Sequence, residues 1–341
     1  MIELQSDSLV FRFPDVHRDA VLRIGFQRTL RIPDDDKNYP LPPGLGLFPL
    51  QHVDDFPDSV PELWTQHGGV MLPMYQSEAL WINFSSDYPF AIKVAAGKIN
   101  AVTGEDWTDG LHRDPQDYMV APGQPWLDGF CVEKGLIRQF IAMPLGSGYS
   151  AEEQLTGKAE YGGLQIVAFP LKREAYERIR KERRAYSDRV GYAPPEEAAA
   201  MMCLQDEAPG DFDMGLGAGG QMEQEIYDDS YGFDDWDLRH SSRCFVHLTN
   251  SMVWRAITGG DPPTVPPTSS EYTKAGLPWF EYYSDSKALE GSEKLATVKS
   301  VAQFGKEKGD VPLPENQSVK VEKVIKLRQG LKEGQVREGR F

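Results

Sequence analysis

The chain has 341 residues, which is enough for about two domains of roughly 150 residues each or for one large β domain. Apolar residues make up 40% of it, as expected of a folded chain, and its 36 basic and 52 acidic residues give a net charge of 36 − 52 = −16. We therefore expect no nucleic-acid partner, because an acidic surface repels phosphates. Cys131, Cys203 and Cys244 are too scattered for a disulfide framework, and the start lacks the apolar segment of a signal peptide. With no run of about 18 apolar residues, these features predict a cytoplasmic chain without a membrane span.

The first 170 residues show the patterns of β-strands. Within Val21–Ile32, apolar residues alternate with polar or small ones, the period of a strand with one buried face. Phe90–Val94 and Ile99–Thr103 flank a short glycine-containing stretch, which predicts a hairpin. Ile137–Leu145 and Leu164–Phe169 are apolar and bounded by glycine-containing segments, as buried strands are. We predict an α+β fold whose first half is mainly antiparallel β, a sandwich or a partly open barrel, with helices appended in the second half.

The second half begins with a helical pattern. Between Lys172 and Tyr186 the apolar residues fall near helical spacing, and two Glu-to-basic pairs stand four residues apart. This basic helix either lies solvated across the sheet or docks against an acidic surface, such as that of a second copy of the chain. Further predicted elements are a helix at Glu196–Gln205, an ordered loop at 206–239, a strand running into a helix or one buried helix at 243–257, a capped helix at Thr268–Ala275, a weak helix at Leu289–Val301 and a strand at Val319–Leu327. The domain prediction is a β-rich domain at 1–170, a mixed helical and loop region packed on it at 171–303, and a charged tail or arm at 304–341.

One short pattern occurs twice. Met-x-Leu-Gly-x-Gly followed by Glu and Gln residues spans 143–154 and recurs at 214–225, an offset of 214 − 143 = 71 residues. The similarity indicates either a duplicated turn or coincidence in a chain with 32 glycines. In the first copy, Ser150 and Glu153 have the spacing of a capping box and predict a short helix that ends near Gly157.

The candidate ligand site lies around the central stretch of the chain. Trp126, Tyr149 and Gln154 supply aromatic rings and an amide, which suit a sugar or another small polar ligand. Asp128 and Glu133 are the candidate catalytic pair, because two carboxyl groups can act as acid and base in hydrolysis. The alternative for Trp126 is a core anchor.

His240, Cys244 and His247 are the candidate metal ligands. On a helix they share one face and could hold Zn²⁺, with Asp237 as a fourth ligand. On a strand, Cys244 and His247 point to opposite faces and the site disappears.

Two other patterns suggest ions or cofactors. The acidic run from Asp228 to Asp237 has the composition, but not the spacing, of a Ca²⁺ loop, and a solvated loop is the alternative. Gly215-x-Gly217-x-x-Gly220 matches the dinucleotide fingerprint formally, but no apolar strand precedes it and acidic residues follow it. We therefore expect no nucleotide cofactor.

Three functional hypotheses follow. The first is a binding or self-assembling protein that forms homo-oligomers, because a basic helix and tail stand on an otherwise acidic chain. The second is a hydrolase or lyase that uses carboxylates, with or without a metal ion. The third is a small-molecule or carbohydrate-binding module.

Overall fold

The computed structural model describes residues 1–35, 37–190, 213–284 and 286–328. The predicted helix at Glu196–Gln205 lies outside the described residues, as does 329–341 of the predicted tail.

The described elements are short strands joined by turns, with most helices in the second half. The strands are β1 (Ile2–Gln5), β2 (Ser8–Arg12), β3 (Val21–Thr29), β4 (Asn38–Tyr39), β5 (Gly44–Leu47), β6 (Gln51–His52), β7 (Val70–Met74), β8 (Ala79–Ser85), β9 (Phe90–Ala96), β10 (Ile99–Asn100), β11 (Met119–Ala121), β12 (Trp126–Leu127), β13 (Gly129–Glu133), β14 (Leu136–Pro144), β15 (Leu164–Pro170), β16 (Asp213–Glu223), β17 (Ser242–Asn250), β18 (Trp279–Tyr283) and β19 (Val324–Arg328). The helices are α1 (Glu62–His67), α2 (Ala151–Thr156), α3 (Arg173–Val190), α4 (Ser251–Thr258), α5 (Ser269–Lys274), α6 (Glu293–Ala296) and α7 (Val301–Lys308).

Strands β1 to β17 form one sheet that is mostly antiparallel and is not closed into a barrel. Its main path runs β1–β2–β3–β8–β14–β16–β17–β15–β9, and β13 adds to β14. Strands account for 38% of the described residues and helices for 19%. The predicted fold class is therefore confirmed.

The strand patterns of the first half place the core. In β3, Leu22, Ile24 and Phe26 are fully buried and Arg23 is exposed, because successive side chains of a strand point to opposite faces. The predicted hairpin forms between β9 and β10 around Gly97, whose positive φ suits the tight turn. One hydrophobic cluster joins the two halves of the chain, since residues of β3 and β9 share it with residues of β16 and β17.

Strand β16 corrects the prediction of a loop over 206–239. Two of its glycines occupy places where a side chain would collide with neighbouring segments of the chain. A Cβ at Gly220 would lie 2.2 Å from the Pro33 carbonyl oxygen, and one at Gly219 would lie 2.6 Å from Ile141. Glycine therefore permits close packing here, although its sequence signal is that of a turn. The fingerprint-like glycines lie inside this strand, not between a strand and a helix.

The repeated pattern adopts two different structures. The first copy leaves β14, turns and enters α2, where Ser150 and Glu153 form the predicted capping box and Gly157 ends the helix with a positive φ. The second copy is extended within β16 and pairs with β14. The two copies are thus not a duplicated turn.

Most predicted elements of the second half are present. α3 packs on the sheet through Tyr176 and forms the ion pair Arg178–Asp235 at 2.7 Å. Residues 243–257 form a strand running into a helix, and Thr268 caps α5 in a capping box. The weak helix predicted at Leu289–Val301 is reduced to α6. The region predicted as a tail contains the end of α7 as well as β19, which pairs in parallel with β18.

Candidate functional site

Three of the sequence-predicted residues lie along consecutive short strands. Trp126 is in β12, which pairs with β8, and Glu133 ends β13, which turns back into β14. Asp128 stands between the two strands. Gly135 adopts a φ of +74° in the turn from β13 to β14, a conformation that favours glycine.

Gln224, which follows β16, connects these residues. Its side-chain Nε2 donates hydrogen bonds to Asp128 Oδ2 at 2.8 Å and to the Trp126 carbonyl at 3.3 Å, while its Oε1 accepts from the Asp128 backbone N–H at 3.0 Å. Its own backbone N–H donates to the Gly135 carbonyl at 3.2 Å. One amide side chain therefore fixes the loop that carries Asp128, and its backbone ties down the turn beside Glu133.

Asp128 is a buried carboxyl group without a basic partner among its contacts. Burial raises its pKa to about 7, and the hydrogen bonds from Trp126 and Gln224 only partly oppose this effect. The group therefore changes charge near neutral pH. Gln224 contacts Asp128 and also lines a surface depression beside Glu133, whereas Asp128 does not line that depression. Direct acid catalysis by Asp128 would require the Gln224 side chain to move.

A cleft of about 400 Å³ opens beside Glu133. We call it the glutamate cleft and define it by its lining residues, which are Asn38, Glu133, Lys134, Gly135, Leu136, Glu223, Gln224, Glu225 and Tyr282. A narrower hollow shares Glu223, Gln224, Glu225 and Tyr282 and extends to Trp126. Trp126 and Glu133, which were predicted from the sequence, thus lie in adjoining parts of one surface depression.

Aromatic rings form one wall of this depression. The rings of Trp126 and Tyr282 meet edge to face with centroids 4.7 Å apart, and the rings of Trp81 and Trp126 also meet edge to face, at 6.2 Å. Tyr282 is carried by β18, where it pairs with Leu327 of β19. Trp126 therefore packs against two aromatic rings and also lines the depression.

Carboxylates dominate the charge of the glutamate cleft. Glu133 and Glu223 are exposed and Glu225 is half-buried. The basic residue of the lining is Lys134, whose Nζ lies 2.7 Å from Glu290 Oε1, so its charge is already paired. Across the described residues, no group of three or more His, Cys, Asp or Glu side chains is placed to hold a metal ion. The carboxylates are thus spread along the cleft, which suits an extended ligand better than a single ion.

Tyr149 and Gln154, also predicted as ligand-binding residues, contact a different segment. The Tyr149 hydroxyl donates to Asp310, its ring packs against Phe304 at 5.0 Å, and burial together with Asp310 raises its pKa to about 12. Gln154 donates to the carbonyls of Tyr149 and Lys299, each at 3.1 Å, and accepts from the Lys299 N–H at 2.9 Å. We call Tyr149, Gln154, Lys299, Phe304 and Asp310 the Tyr149 clamp, because they fasten α7 to the body of the protein.

The predicted zinc ligands do not meet on one face. Cys244 and His247 lie three residues apart in β17, so their side chains point to opposite sides of the sheet. His240 precedes the strand and bonds Asp237 through Nδ1 at 2.8 Å, while His247 Nε2 donates to the Gly68 carbonyl at 3.0 Å. Burial raises the pKa of the Cys244 thiol to about 12, which disfavours the thiolate that zinc requires. The helix on which the zinc hypothesis depended is absent from the described residues at this position.

The acidic run from 228 to 237 is divided among separate partners. Asp229 accepts hydrogen bonds from the Tyr118 hydroxyl at 2.7 Å and the Trp236 indole at 2.8 Å, which makes it a buried structural group. Asp235 pairs with Arg178 and Asp237 with His240. These carboxylates point to different side chains and not to a common centre.

Sequence reasoning missed Glu223, Gln224, Glu225 and Tyr282. The first three belong to the repeated pattern and lie within the stretch 206–239, for which the sequence predicts a loop. Only the register of β16 against β14 brings them beside Glu133. Tyr282 lies in an aromatic stretch of the sequence, yet its position there does not indicate which surface it meets.

Comparisons with protein-family models, with curated proteins and with solved structures found no match for this chain. Within the described residues, none of the helices combines the length and the apolar character needed to cross a membrane. Function therefore has to be argued from the geometry alone.

Proposed function

We propose that this chain is a binding protein whose glutamate cleft takes a small polar ligand. The observation that carries the proposal is the convergence of carboxylates, an amide and an aromatic wall around one depression of about 400 Å³. Ligand sites are typically concave, with a few polar groups that orient the ligand and apolar or aromatic surfaces that exclude water. Glu133, Gln224 and Tyr282 supply both kinds of surface.

Hydrogen bonds and ring contacts hold two of the lining residues of the cleft in place. Gln224 is held by four hydrogen bonds of its side chain and backbone, and Tyr282 is fixed by Trp126 and by the β18–β19 pairing. Side chains fixed before a ligand arrives lose less conformational freedom on binding, which favours affinity. Glu133 and Glu223 stand at the ends of their strands.

A thermal-shift screen tests the proposal. Neutral sugars, amines and carboxylic acids are added to the purified chain, and a true ligand stabilises it by RT ln(1 + [L]/Kd), about 2.7 kcal/mol at a hundredfold excess over Kd. Asn38→Trp places a large ring in the cleft and should abolish the shift. Gln66→Trp, on the exposed surface of α1, is the matched control. A shift that survives in Asn38→Trp, or no shift with any of the three classes, refutes the proposal.

Self-association is a second candidate function, and strand β19 favours it. Val324, Ile325 and Leu327 are 37%, 39% and 40% exposed, and within the described residues β19 pairs only with β18. An exposed apolar edge strand is a template for a strand of another copy. Light scattering at low and high salt measures the oligomeric state, which Ile325→Lys should lower. Val311→Lys changes an apolar residue that is 86% exposed outside the strand and should not alter it. A monomer in every sample counts against self-association.

A further inference from the structure

The charge of the glutamate cleft selects among polar ligands. Its lining carries Glu133, Glu223 and Glu225, and its basic residue, Lys134, is paired with Glu290. A neutral ligand would leave these carboxylates uncompensated, and an anionic one would be repelled. A cation gains attraction from each carboxylate that it approaches.

The spacing of the carboxylates indicates an elongated cation. Glu133 pairs with Leu136, and Leu136 pairs with Glu223, so the two glutamates stand on either side of β14 in one register. Their backbones are therefore about 10 Å apart, twice the usual distance between neighbouring strands. Among the described residues, no group of three or more His, Cys, Asp or Glu side chains could hold a metal ion, so carboxylates on both sides of β14 favour an elongated cation over a single ion.

The aromatic wall supplies an observation that does not depend on the acidic residues. Tyr282 lines both parts of the depression and presents a ring supported edge to face by Trp126. Such rings attract ammonium groups through their π faces and pack against the methylene groups between them. Carboxylates on both strands that flank β14 and a ring in the same lining fit a flexible chain with charged ends.

We propose that the glutamate cleft binds a linear organic cation with two or more ammonium groups, of the polyamine class. Glu133 and Glu223 each pair with one ammonium group across β14, Glu225 adds to the attraction, and Tyr282 contacts the methylene stem. This inference rests on the proposed function and narrows it to one chemical class.

Titration calorimetry with spermidine, the monoamine butylamine, glucose and Mg²⁺ tests the inference. Spermidine should bind measurably tighter than each of the others. Glu133→Gln and Glu223→Gln should each weaken spermidine binding by about two- to fivefold, the usual range for an exposed charge pair, and the double variant by about the product. Glu182→Gln removes an exposed glutamate of α3, outside the cleft, and should leave the Kd unchanged within experimental error.

The possible results separate the two proposals. If glucose binds, Asn38→Trp blocks it and spermidine does not bind, the polyamine inference is wrong and the proposed function stands. If spermidine binds equally to the wild type, to both glutamine variants and to Asn38→Trp, the attraction comes from the net charge of −16 and the inference is again wrong. If none of the four ligands binds, the inference is refuted, and the wider screen then decides the proposed function.

Discussion

The glutamate cleft and the Tyr149 clamp are built from the same kinds of residue, an aromatic ring beside a glutamine and a carboxylate. In the clamp every polar group is taken by the chain itself: the Tyr149 hydroxyl by Asp310, and the Gln154 amide by the backbone of Lys299. In the cleft the amide of Gln224 is also taken, but the carboxylates of Glu133 and Glu223 face open space. Residue type therefore does not distinguish a binding site from a packing contact. What distinguishes them is whether another segment of the chain covers the polar groups.

The largest expected effect is the loss of stability in a variant of the Tyr149 clamp, because the clamp stabilises the fold and the cleft does not. Tyr149→Ala removes a side chain that is 7% exposed and packs on Phe304, and it leaves Asp310 without its hydroxyl partner. We expect the free energy of unfolding to fall by about 3 to 5 kcal/mol, as for other buried aromatic residues. Spermidine affinity should stay within about twofold, because the clamp does not touch the cleft. Urea denaturation and calorimetry measure the two quantities.

The matched variant in the cleft is Tyr282→Ala. Tyr282 is half-buried, so its loss should cost less stability than that of Tyr149 while it weakens spermidine binding strongly. If Tyr149→Ala remains folded and loses the ligand as completely as Tyr282→Ala does, the distinction between the clamp and the cleft is wrong.

The sequence predicts the fold well because the fold depends on periodicity and on local turn chemistry. Val21–Ile32 alternates as its strand requires, and Ser150 with Glu153 forms the expected capping box. Local signals mislead at β16, where glycines indicate a turn but serve close packing between strands. Local signals also cannot predict the hydrogen-bond partner of Tyr149, since Asp310 lies 161 residues further along the chain. Trp126 and Glu133, which line the depression, were predictable, and so was Asp128, which lies behind it. The positions of the other lining residues depend on strand register and on β18, which no local pattern specifies.

The next largest expected effect is a pH dependence of stability that comes from Asp128. This residue lies behind the cleft and is covered by Gln224. Its pKa is raised from 3.8 to about 7 by burial, so between about pH 4 and pH 7 the folded chain holds a proton that the unfolded chain has lost. Stability from this group is therefore fully retained below about pH 4 and is lost as the pH rises towards 7. Asp128→Asn cannot ionise and keeps an oxygen for the Gln224 amide. We expect the variant to match the wild type near pH 4 and to be more stable by about 2 to 4 kcal/mol at pH 8.

Urea denaturation of both proteins from pH 4 to pH 8 gives this difference directly. Subtracting the wild-type free energy of unfolding from that of the variant at each pH cancels the contributions of the other titrating groups. These include Glu78 and Asp213, whose pKa values burial also raises to about 7. A difference that is constant across the pH range would show that Asp128 does not titrate between the two limits.

The smallest expected change in stability belongs to the cleft itself. Glu133→Gln alters an exposed side chain at the end of β13, so the free energy of unfolding should change by no more than about 0.5 kcal/mol. Its effect should appear in binding, because the variant removes one of the two glutamate charges that flank β14. Adding salt should weaken spermidine binding more in the wild type than in Glu133→Gln, since screening acts on charges that are present. If the variant lowers stability as much as Tyr149→Ala does, Glu133 is a structural residue like those of the clamp, and the cleft loses one of its two anchoring charges.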